Sequence, residues 1–323
     1  MRPTVFLPEP IAACGISILE KEHDCIAPWR EGRMLSKPQE VDMLREADAV
    51  IVRLLKITAS ELKHCSNLKV IAKHGVGVDN IDCKVATEHG IPVIFTPTAN
   101  ANAVAEHTIG LMLSLARNVC GASQALRGGS FADRSSFVGI ELYGKTLGIV
   151  GLGRIGSRVA EIAAAGLGMN VQAYDPYREP GEYRGPADLN KSLNTVLAVA
   201  DFLTLHTPLS KDTEYLIDDE CISMIKPGCR IVNTSRGVVV DEQALIHALK
   251  DGRLAGAALD VFEEEPVPGD HPLCGTPNLL LTPHIAGQTQ ESMDQMATDC
   301  ARGIIDVLQG RKPVDLVNPE VMS

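Results

Sequence analysis

Aromatic side chains are scarce in this sequence: one Trp, five Tyr and six Phe among 323 residues. So few flat rings leave little on which nucleobases could stack. Positive charge is in deficit too, with 30 Lys and Arg against 41 Asp and Glu, a net charge of −11. A field of that sign repels polyphosphate and excludes nucleic acid as the main partner. No apolar run approaches the roughly 20 residues a membrane-spanning helix needs, so no membrane association is expected. The N-terminal run Met-Arg-Pro-Thr-Val-Phe-Leu lacks the apolar core of a secretory signal. The nine cysteines contain no Cys-x-x-Cys pair, which removes the spacing of a zinc site or a redox pair, and no metal is expected. Scattered thiols in odd number read as small buried hydrophobes of a reducing compartment, so the expected location is cytoplasmic.

What is present is an ordinary globular composition, 45% hydrophobic and 22% charged, over a length that suits two domains. Short apolar runs alternate with helical patterns, and strands are expected at 4–7, 49–54, 69–72, 93–95, 146–150, 171–174, 202–205, 230–233, 257–261 and 279–281. Most are β-branched and apolar on both faces, which suits strands covered on each side by crossover helices. The class is therefore α/β. Two longer helical patterns break the rhythm, one over about 102–126 and one over about 291–308, the latter followed by Gly310 and Pro313 as stop signals. The first reads as an inter-domain connector. The second needs somewhere to bury its apolar face and would return to the first unit. The expected division is 1–98 with 289–323 against 99–288, and the polar, Gly-bearing stretch 128–143 reads as a surface loop.

The strand at 146–150 leads into Gly151-Leu-Gly153-Arg154-Ile155-Gly156, and a helical pattern follows. The first glycine permits a tight turn, the second lets backbone approach a pyrophosphate, and the third allows close helix–strand packing. The helix N-terminus adds oriented N–H groups and partial positive charge. The next strand ends at Asp175, 19 positions after Gly156, where a carboxylate would accept both hydroxyls of an adenosine ribose. Strand, glycine turn, helix and acid together point to a dinucleotide, and the acid to NAD.

Three later segments place polar groups just past apolar strands, where a doubly wound sheet lines its ligand crevice. They carry Arg236, then Asp260 and Glu265, then His284. Arg236 could hold a carboxylate and polarise a carbonyl oxygen. His284 could shuttle a hydroxyl proton, and Glu265 could raise and orient the imidazole. That chemistry fits hydride transfer at a carbon bearing a hydroxyl. Each residue also has a plain alternative: an arginine in a surface ion pair, a solvated acidic loop, a packed histidine. His107, in the long helical pattern, reads as packed or exposed.

With these motifs in order, the chain resembles the D-isomer-specific 2-hydroxyacid dehydrogenases, in particular their short phosphoglycerate-dehydrogenase-like members. The resemblance covers nearly the whole chain. It is carried by His74-Gly-Val-Gly-Val-Asp-Asn-Ile-Asp82, the stretch from Thr96 to Glu106, the glycine cradle, Leu205-His-Thr-Pro208, Asn233-Thr-Ser-Arg-Gly237, Asp260-Val-Phe-Glu-Glu-Glu-Pro266 and Pro283-His-Ile-Ala-Gly287. It implies Arg236, Glu265 and His284 as the catalytic trio. Asp260 would hold the nicotinamide carboxamide, and Thr207, Pro208, Thr234 and Gly287 would line the coenzyme. Backbone at Val76 and Gly77, with Arg53, would hold the substrate. It also implies two doubly wound parallel-sheet domains, a Rossmann coenzyme domain inserted into a flavodoxin-like substrate domain. A homodimer through the coenzyme domain is implied as well. The helix beginning near Asn102 would contribute to that interface, although intrachain packing fits its pattern equally well.

Two departures bear on substrate. Phosphoglycerate-type members often carry a serine or threonine after the substrate-domain arginine, whereas Leu54 and Leu55 follow Arg53. The sequence ends at Ser323, with no room for a serine-sensing domain, so feedback through one is not expected. Arg53, Lys56, Lys73 and His74 gather around the substrate-side strands. They raise the expectation of a second anionic group on the substrate, as in 3-phosphoglycerate or sulfolactate, although the two leucines argue for one apolar wall. The alternatives are an NAD(H)-sensing corepressor-like protein, from which the expected partner-binding tails are missing, and a phosphite dehydrogenase. A formate dehydrogenase is disfavoured because that group carries glutamine where Glu265 stands.

Overall fold

The computed structural model describes residues 2–179, 181 and 183–322. They divide into two compact units, 1–100 with 288–323 and 101–287. The first unit holds β1 (Thr4–Phe6), α1 (Ala13–Leu19), β2 (Asp24–Ile26), α2 (Lys37–Glu46), β3 (Ala49–Val52), α3 (Ala59–Leu62), β4 (Val70–Lys73), α4 (Cys83–Glu88) and β5 (Val93–Ile94), with α11 (Gln290–Leu308) at the end of the chain. The second holds α5 (Ala101–Arg117), α6 (Val119–Arg127), β6 (Thr146–Val150), α7 (Arg154–Leu167), β7 (Asn170–Tyr174), β8 (Asp188–Asn190), α8 (Leu193–Val199), β9 (Phe202–Leu205), α9 (Asp219–Met224), β10 (Arg230–Asn233), α10 (Glu242–Lys250), β11 (Gly256–Leu259) and β12 (Leu279–Leu281).

Every strand pair is parallel. The first sheet runs β2-β1-β3-β4-β5, the flavodoxin-like order, and the second runs β12-β11-β10-β9-β6-β7-β8, the Rossmann order with one strand added. The α/β expectation thus holds, and the reason is legible in the burial. Val5, Ala49, Ile51, Val70 and Ala72 face one core, packed with Ala297, Ala301 and Ile304 of α11. Their neighbours Phe6, Val50, Val52 and Ile71 face the opposite core. Alternation of 2.0 residues puts successive side chains on opposite faces, and both faces are covered, so the strands read as unbroken apolar runs. In the second sheet, Leu203, Leu205, Ile231 and Leu259 face one core. Leu147, Ile149, Phe202 and Val232 face the other.

Two strands went unforeseen, β2 and β8. Each is three residues long, partly exposed and at a sheet edge, and each opens on an exposed aspartate, so neither reads as a double-faced apolar run. The single helix expected over 102–126 is two. Asn118 takes the left-handed conformation (φ 53°) between α5 and α6, which asparagine tolerates better than most residues. The carbonyl of Ala116 accepts instead from the Ile140 amide at 2.8 Å. The stretch after α6 forms a 3₁₀ turn, Phe131–Phe137, that exposes Phe131 and Val138, while Leu142 is buried. Among the described residues no helix is long and apolar enough to cross a membrane.

Candidate active site

In the second unit the chain reverses strand order between β6 and β9, the point at which doubly wound sheets bind ligands beyond the strand carboxyl ends. The glycine turn lies there. Gly151 has φ 93°, which permits the sharp exit from β6. A Cβ on Gly156 would sit 2.0 Å from the Gly151 carbonyl oxygen, so only glycine lets α7 start this close to its strand. Beside Gly153 nothing lies within 4 Å of a built Cβ, which leaves room for a ligand against the backbone. No side chain caps α7, and the amides of Arg154 and Ile155 donate to no acceptor among the described residues. Asp175 follows β7, its Oδ2 accepting from the Leu152 amide at 2.8 Å and its Oδ1 from Tyr177 at 2.9 Å. Each oxygen keeps a second lone pair for a hydroxyl donor.

Past β9, both ring nitrogens of His206 and the Thr207 hydroxyl are buried without a partner among the described residues. Burial pushes the His206 imidazole down to about 3, so it is neutral. Orphaned polar atoms beside an uncapped helix start fit an absent polar ligand of dinucleotide type. Pro208 follows, its carbonyl taken by the Thr213 hydroxyl at 2.7 Å. Thr234 pairs with Thr108 at 2.9 Å, and because Thr108 donates to the Val104 carbonyl, Thr234 is the donor between them.

The three candidate catalytic residues come together at the carboxyl edges of three adjacent strands. Arg236 follows β10, and its Nη1 donates to the Ser235 carbonyl at 2.7 Å. The fully buried Asn233 fixes that turn, its amide donating to the Arg236 carbonyl and its oxygen accepting from the Ser235 amide and hydroxyl. At Gly237 a Cβ would stand 1.8 Å from the Phe262 carbonyl carbon, so the turn after β10 and the loop after β11 are in backbone contact. That loop ends at Glu265, before a cis peptide bond to Pro266. Its Oε1 accepts from the Phe262 amide at 3.1 Å, and its Oε2 lies 2.8 Å from His284 Nδ1. Burial opposes the carboxylate's charge, but the imidazole, the Phe262 amide and the Arg236 charge outweigh it and hold Glu265 below the usual carboxylate range.

His284 itself sits in the left-handed region, φ 53°, a conformation costing a non-glycine residue about 1–2 kcal/mol. Its amide donates to the Thr282 carbonyl at 3.0 Å, and Gly287 ends the turn. Asp260, the first residue past β11, is fully buried. Its Oδ1 accepts from the Thr282 hydroxyl at 2.6 Å and the Ile285 amide at 2.9 Å, and its Oδ2 from the Ala286 amide at 2.8 Å. His107, read from sequence as packed or exposed, has Nε2 3.2 Å from the Thr282 hydroxyl and 3.6 Å from Asp260 Oδ1. Asn233, Thr282 and His206 were given no role from sequence, and His107 was read only as packed or exposed. Asn233, His206 and Thr282 share one signal, a short polar residue or histidine at or one position past a strand end, whereas His107 lies inside α5 and carries none.

In the first unit the sheet switches between β1 and β3. The Glu9 carboxylate fills a nest of three successive amides there, accepting from Arg53, from Leu54 at 2.6 Å and from Leu55 at 3.2 Å. Arg53 Nη1 donates to the Pro10 carbonyl at 3.0 Å. Lys73 donates to the Arg53 carbonyl and to Asn80 Oδ1, so its ammonium fastens the 53–55 turn. His74 is buried, and its burial, then the charges of Arg53 and Lys73, push it down to about 4. Two of the four cations expected around a second substrate anion are thus otherwise employed or neutral, and a carboxylate stands among them. The amides of Val76 and Gly77, by contrast, donate to no acceptor among the described residues. Among those residues no cluster of three or more His, Cys, Asp or Glu could hold a metal ion.

A family model described as D-isomer specific 2-hydroxyacid dehydrogenase, NAD binding domain, matches residues 109–286. The chain is 43% identical over 317 residues to D-3-phosphoglycerate dehydrogenase of Methanocaldococcus jannaschii, across 97% of this chain and 59% of that protein. It is 38% identical over 330 residues to glyoxylate reductase of Pyrococcus furiosus, across 100% of this chain and 97% of that one. It therefore spans about three-fifths of the first protein and nearly all of the second. Among solved structures, D-lactate dehydrogenase from Aquifex aeolicus, complexed with NAD and lactic acid, superposes with a TM-score of 0.84 at 27% identity, covering 98% of this chain and 99% of that one.

Proposed function

The chain belongs to the D-isomer-specific 2-hydroxyacid dehydrogenases, and on that premise we propose that it interconverts a D-2-hydroxy acid and its 2-keto acid, with NAD as hydride carrier. The observation that carries the reading is the 2.8 Å contact of His284 Nδ1 with Glu265 Oε2 beside Arg236, on the unit that holds the glycine cradle. NADH, when held on that cradle, supplies the hydride to the carbonyl carbon. Gly151, Gly153 and Gly156 open the backbone to the pyrophosphate, Arg154 and Ile155 offer amides to it, and Asp175 takes the ribose hydroxyls. His206, Thr207, Pro208, Thr234 and Gly287 line the remainder.

Arg236 draws charge from the keto oxygen and pairs with the substrate carboxylate. Glu265 fixes the proton on His284 Nδ1, so Nε2 hands its proton to the developing alkoxide and recovers it in the reverse direction. The amides of Val76 and Gly77, on the turn after β4, are the proposed holders of the substrate carboxylate, with Arg53 on the turn after β3 as a further substrate-side group. The internal use of Lys73, the neutrality of His74 and the charge of Glu9 favour a 2-keto acid without a second anion.

Two further readings rest on surfaces and thiols. The exposed Val119, Leu126, Phe131 and Val138 of α6 and the 3₁₀ turn after it suit a homodimer built on the coenzyme unit. Nine free thiols suit a reducing, cytoplasmic setting.

The test is NADH oxidation with glyoxylate, hydroxypyruvate, pyruvate, phosphohydroxypyruvate and sulfopyruvate. Turnover of at least one is expected, with the monoanions no worse than the dianions. NADH binding without turnover of any would favour a coenzyme-sensing protein instead.

A further inference from the structure

We propose that Glu242 is a positioning residue for the Glu265–His284 pair: its carboxylate and that of Glu263 each accept the other's backbone amide, and this clasp sets the path of the 262–265 loop. The proposal rests on the reading of that pair as the acid–base couple.

Glu242 opens α10 but its side chain does little for that helix. The free amides at the helix start go to Asp241, whose Oδ1 accepts from Gln243 at 2.9 Å and from Ala244 at 3.0 Å. Glu242 is nonetheless buried, at 5% exposure, and burial raises its carboxyl above the usual range. A buried carboxylate is costly unless it is hydrogen-bonded, so its partners show what it serves. Its Oε1 accepts from the Glu263 amide at 2.9 Å, and the Glu242 amide in turn donates to Glu263 Oε1 at 3.0 Å. Two residues 21 positions apart are thus joined by a reciprocal pair of bonds.

Little slack lies between that clasp and the site. Phe262 gives its amide to Glu265 Oε1 at 3.1 Å, and the next amide, that of Glu263, goes to Glu242. Two successive loop amides are therefore bound, one by Glu265 itself and one by Glu242. If the Glu263 peptide swings free, the Phe262 brace on Glu265 swings with it. Glu265 Oε2 would then leave its place 2.8 Å from His284 Nδ1.

Two outer residues complete the arrangement. His271 Nδ1 accepts from the Leu273 amide at 3.4 Å, which leaves the hydrogen of the neutral ring on Nε2, and Nε2 stands 3.7 Å from Glu242 Oε2. The Tyr215 hydroxyl donates to Glu263 Oε2 at 3.4 Å. The titratable groups that face Glu242 are thus Glu263 on the loop, His271 on the 3₁₀ turn after it, and Asp241 at its own helix cap. Networks of this kind act as a unit, so loss of either half should free the loop.

The experiment uses the full chain and two readouts. One, which needs no turnover, is the low-field proton resonance of His284 Nδ1, read with labelled histidine and assigned by its loss in Glu265→Gln. The other is the pH profile of kcat/KM for keto-acid reduction. In Glu242→Ala the resonance should disappear and the high-pH limb should move to lower pH, toward that of Glu265→Gln. Glu263→Ala should do the same, and Glu263→Gln, which keeps an acceptor for the Glu242 amide, should retain the resonance. Glu264→Ala removes an equal charge one residue nearer to Glu265 and should change neither readout. A resonance and a limb unmoved in folded Glu242→Ala would overturn the proposal. So would a shift in Glu264→Ala as large as that in Glu263→Ala, because charge and not the clasp would then be the cause. Should Glu242→Ala fail to fold, the Glu263 pair decides, and Ala and Gln variants that behave alike overturn it. If the resonance responds as expected but no 2-keto acid is reduced, the reading of function fails and the positioning role stands.

Discussion

His284 Nδ1 and Glu265 Oε2 lie 2.8 Å apart, although the two residues leave different strands and the glutamate is partly buried. The carboxyl is held below its usual range by that contact and by the charge of Arg236. A group whose pKa is lowered on folding contributes stability above its ordinary range and loses it as pH falls through the lowered value. The pair should therefore survive mild acid. Glu265→Gln removes the counter-charge of the protonated imidazole, and the high-pH limb of kcat/KM for keto-acid reduction should move to lower pH. A profile that coincides with the parent's would show that the contact has no part in proton transfer.

Gly237 couples the two loops that carry Arg236 and Glu265. A methyl group there would enter the Phe262 backbone at 1.8 Å, and backbone cannot rotate aside as a side chain can. Gly237→Ala should cost about 1–3 kcal/mol in urea unfolding and lower kcat more than a matched surface substitution does. Unfolding and kcat both at parental values would show the close approach to be readily relieved.

Asp175 should make NAD the preferred coenzyme over NADP. Its carboxylate would face a 2′-phosphate of like sign, and unit charges 4 Å apart repel by about 4 kcal/mol at an effective dielectric near 20, an upper guide for a wet site. Arg178 is drawn away over the Tyr183 ring, 5.7 Å to its centroid. Asp175→Ser should narrow the NAD to NADP ratio of kcat/KM by at least tenfold. Equal use of both coenzymes by the parent enzyme contradicts this.

His74 should make the fold sensitive to mild acid. Its value falls from 6.5 to about 4 on folding, so between those limits the unfolded chain binds the extra proton and stability drops as pH drops. At 1.36 kcal/mol per pH unit the loss is about 3 kcal/mol by pH 4. Urea midpoints measured from pH 7 to pH 4 should fall less steeply in His74→Gln than in the parent, since other buried histidines cancel in the comparison. Parallel curves would place the acid sensitivity elsewhere.

Much of this architecture was legible in the sequence because its carriers are local. Ten apolar strand cores, the glycine turn and the polar residues just past β10, β11 and β12 each declare themselves within a few positions. What escaped depends on partners far along the chain. β2 and β8 are strands only because an inner neighbour pairs with them. Asn118 breaks a helix whose pattern continues because Ile140 takes the Ala116 carbonyl. Lys73 looked like a ligand for anions, and Asn80 and the Arg53 carbonyl made it a brace. Glu9 sits 44 residues before the amides it caps at Arg53, and no spacing rule links them.

The most direct measurement is the rate of NADH oxidation by His284→Ala against the parent, using whichever 2-keto acid the parent reduces best, with NADH affinity measured on both. A positioned acid–base group contributes about 100- to 10,000-fold. The expected result is a kcat lowered by that factor with NADH affinity within threefold. A variant that keeps more than a tenth of the parent's kcat would contradict the assignment of His284 as the proton donor, and with it the catalytic reading of the Glu265 pair.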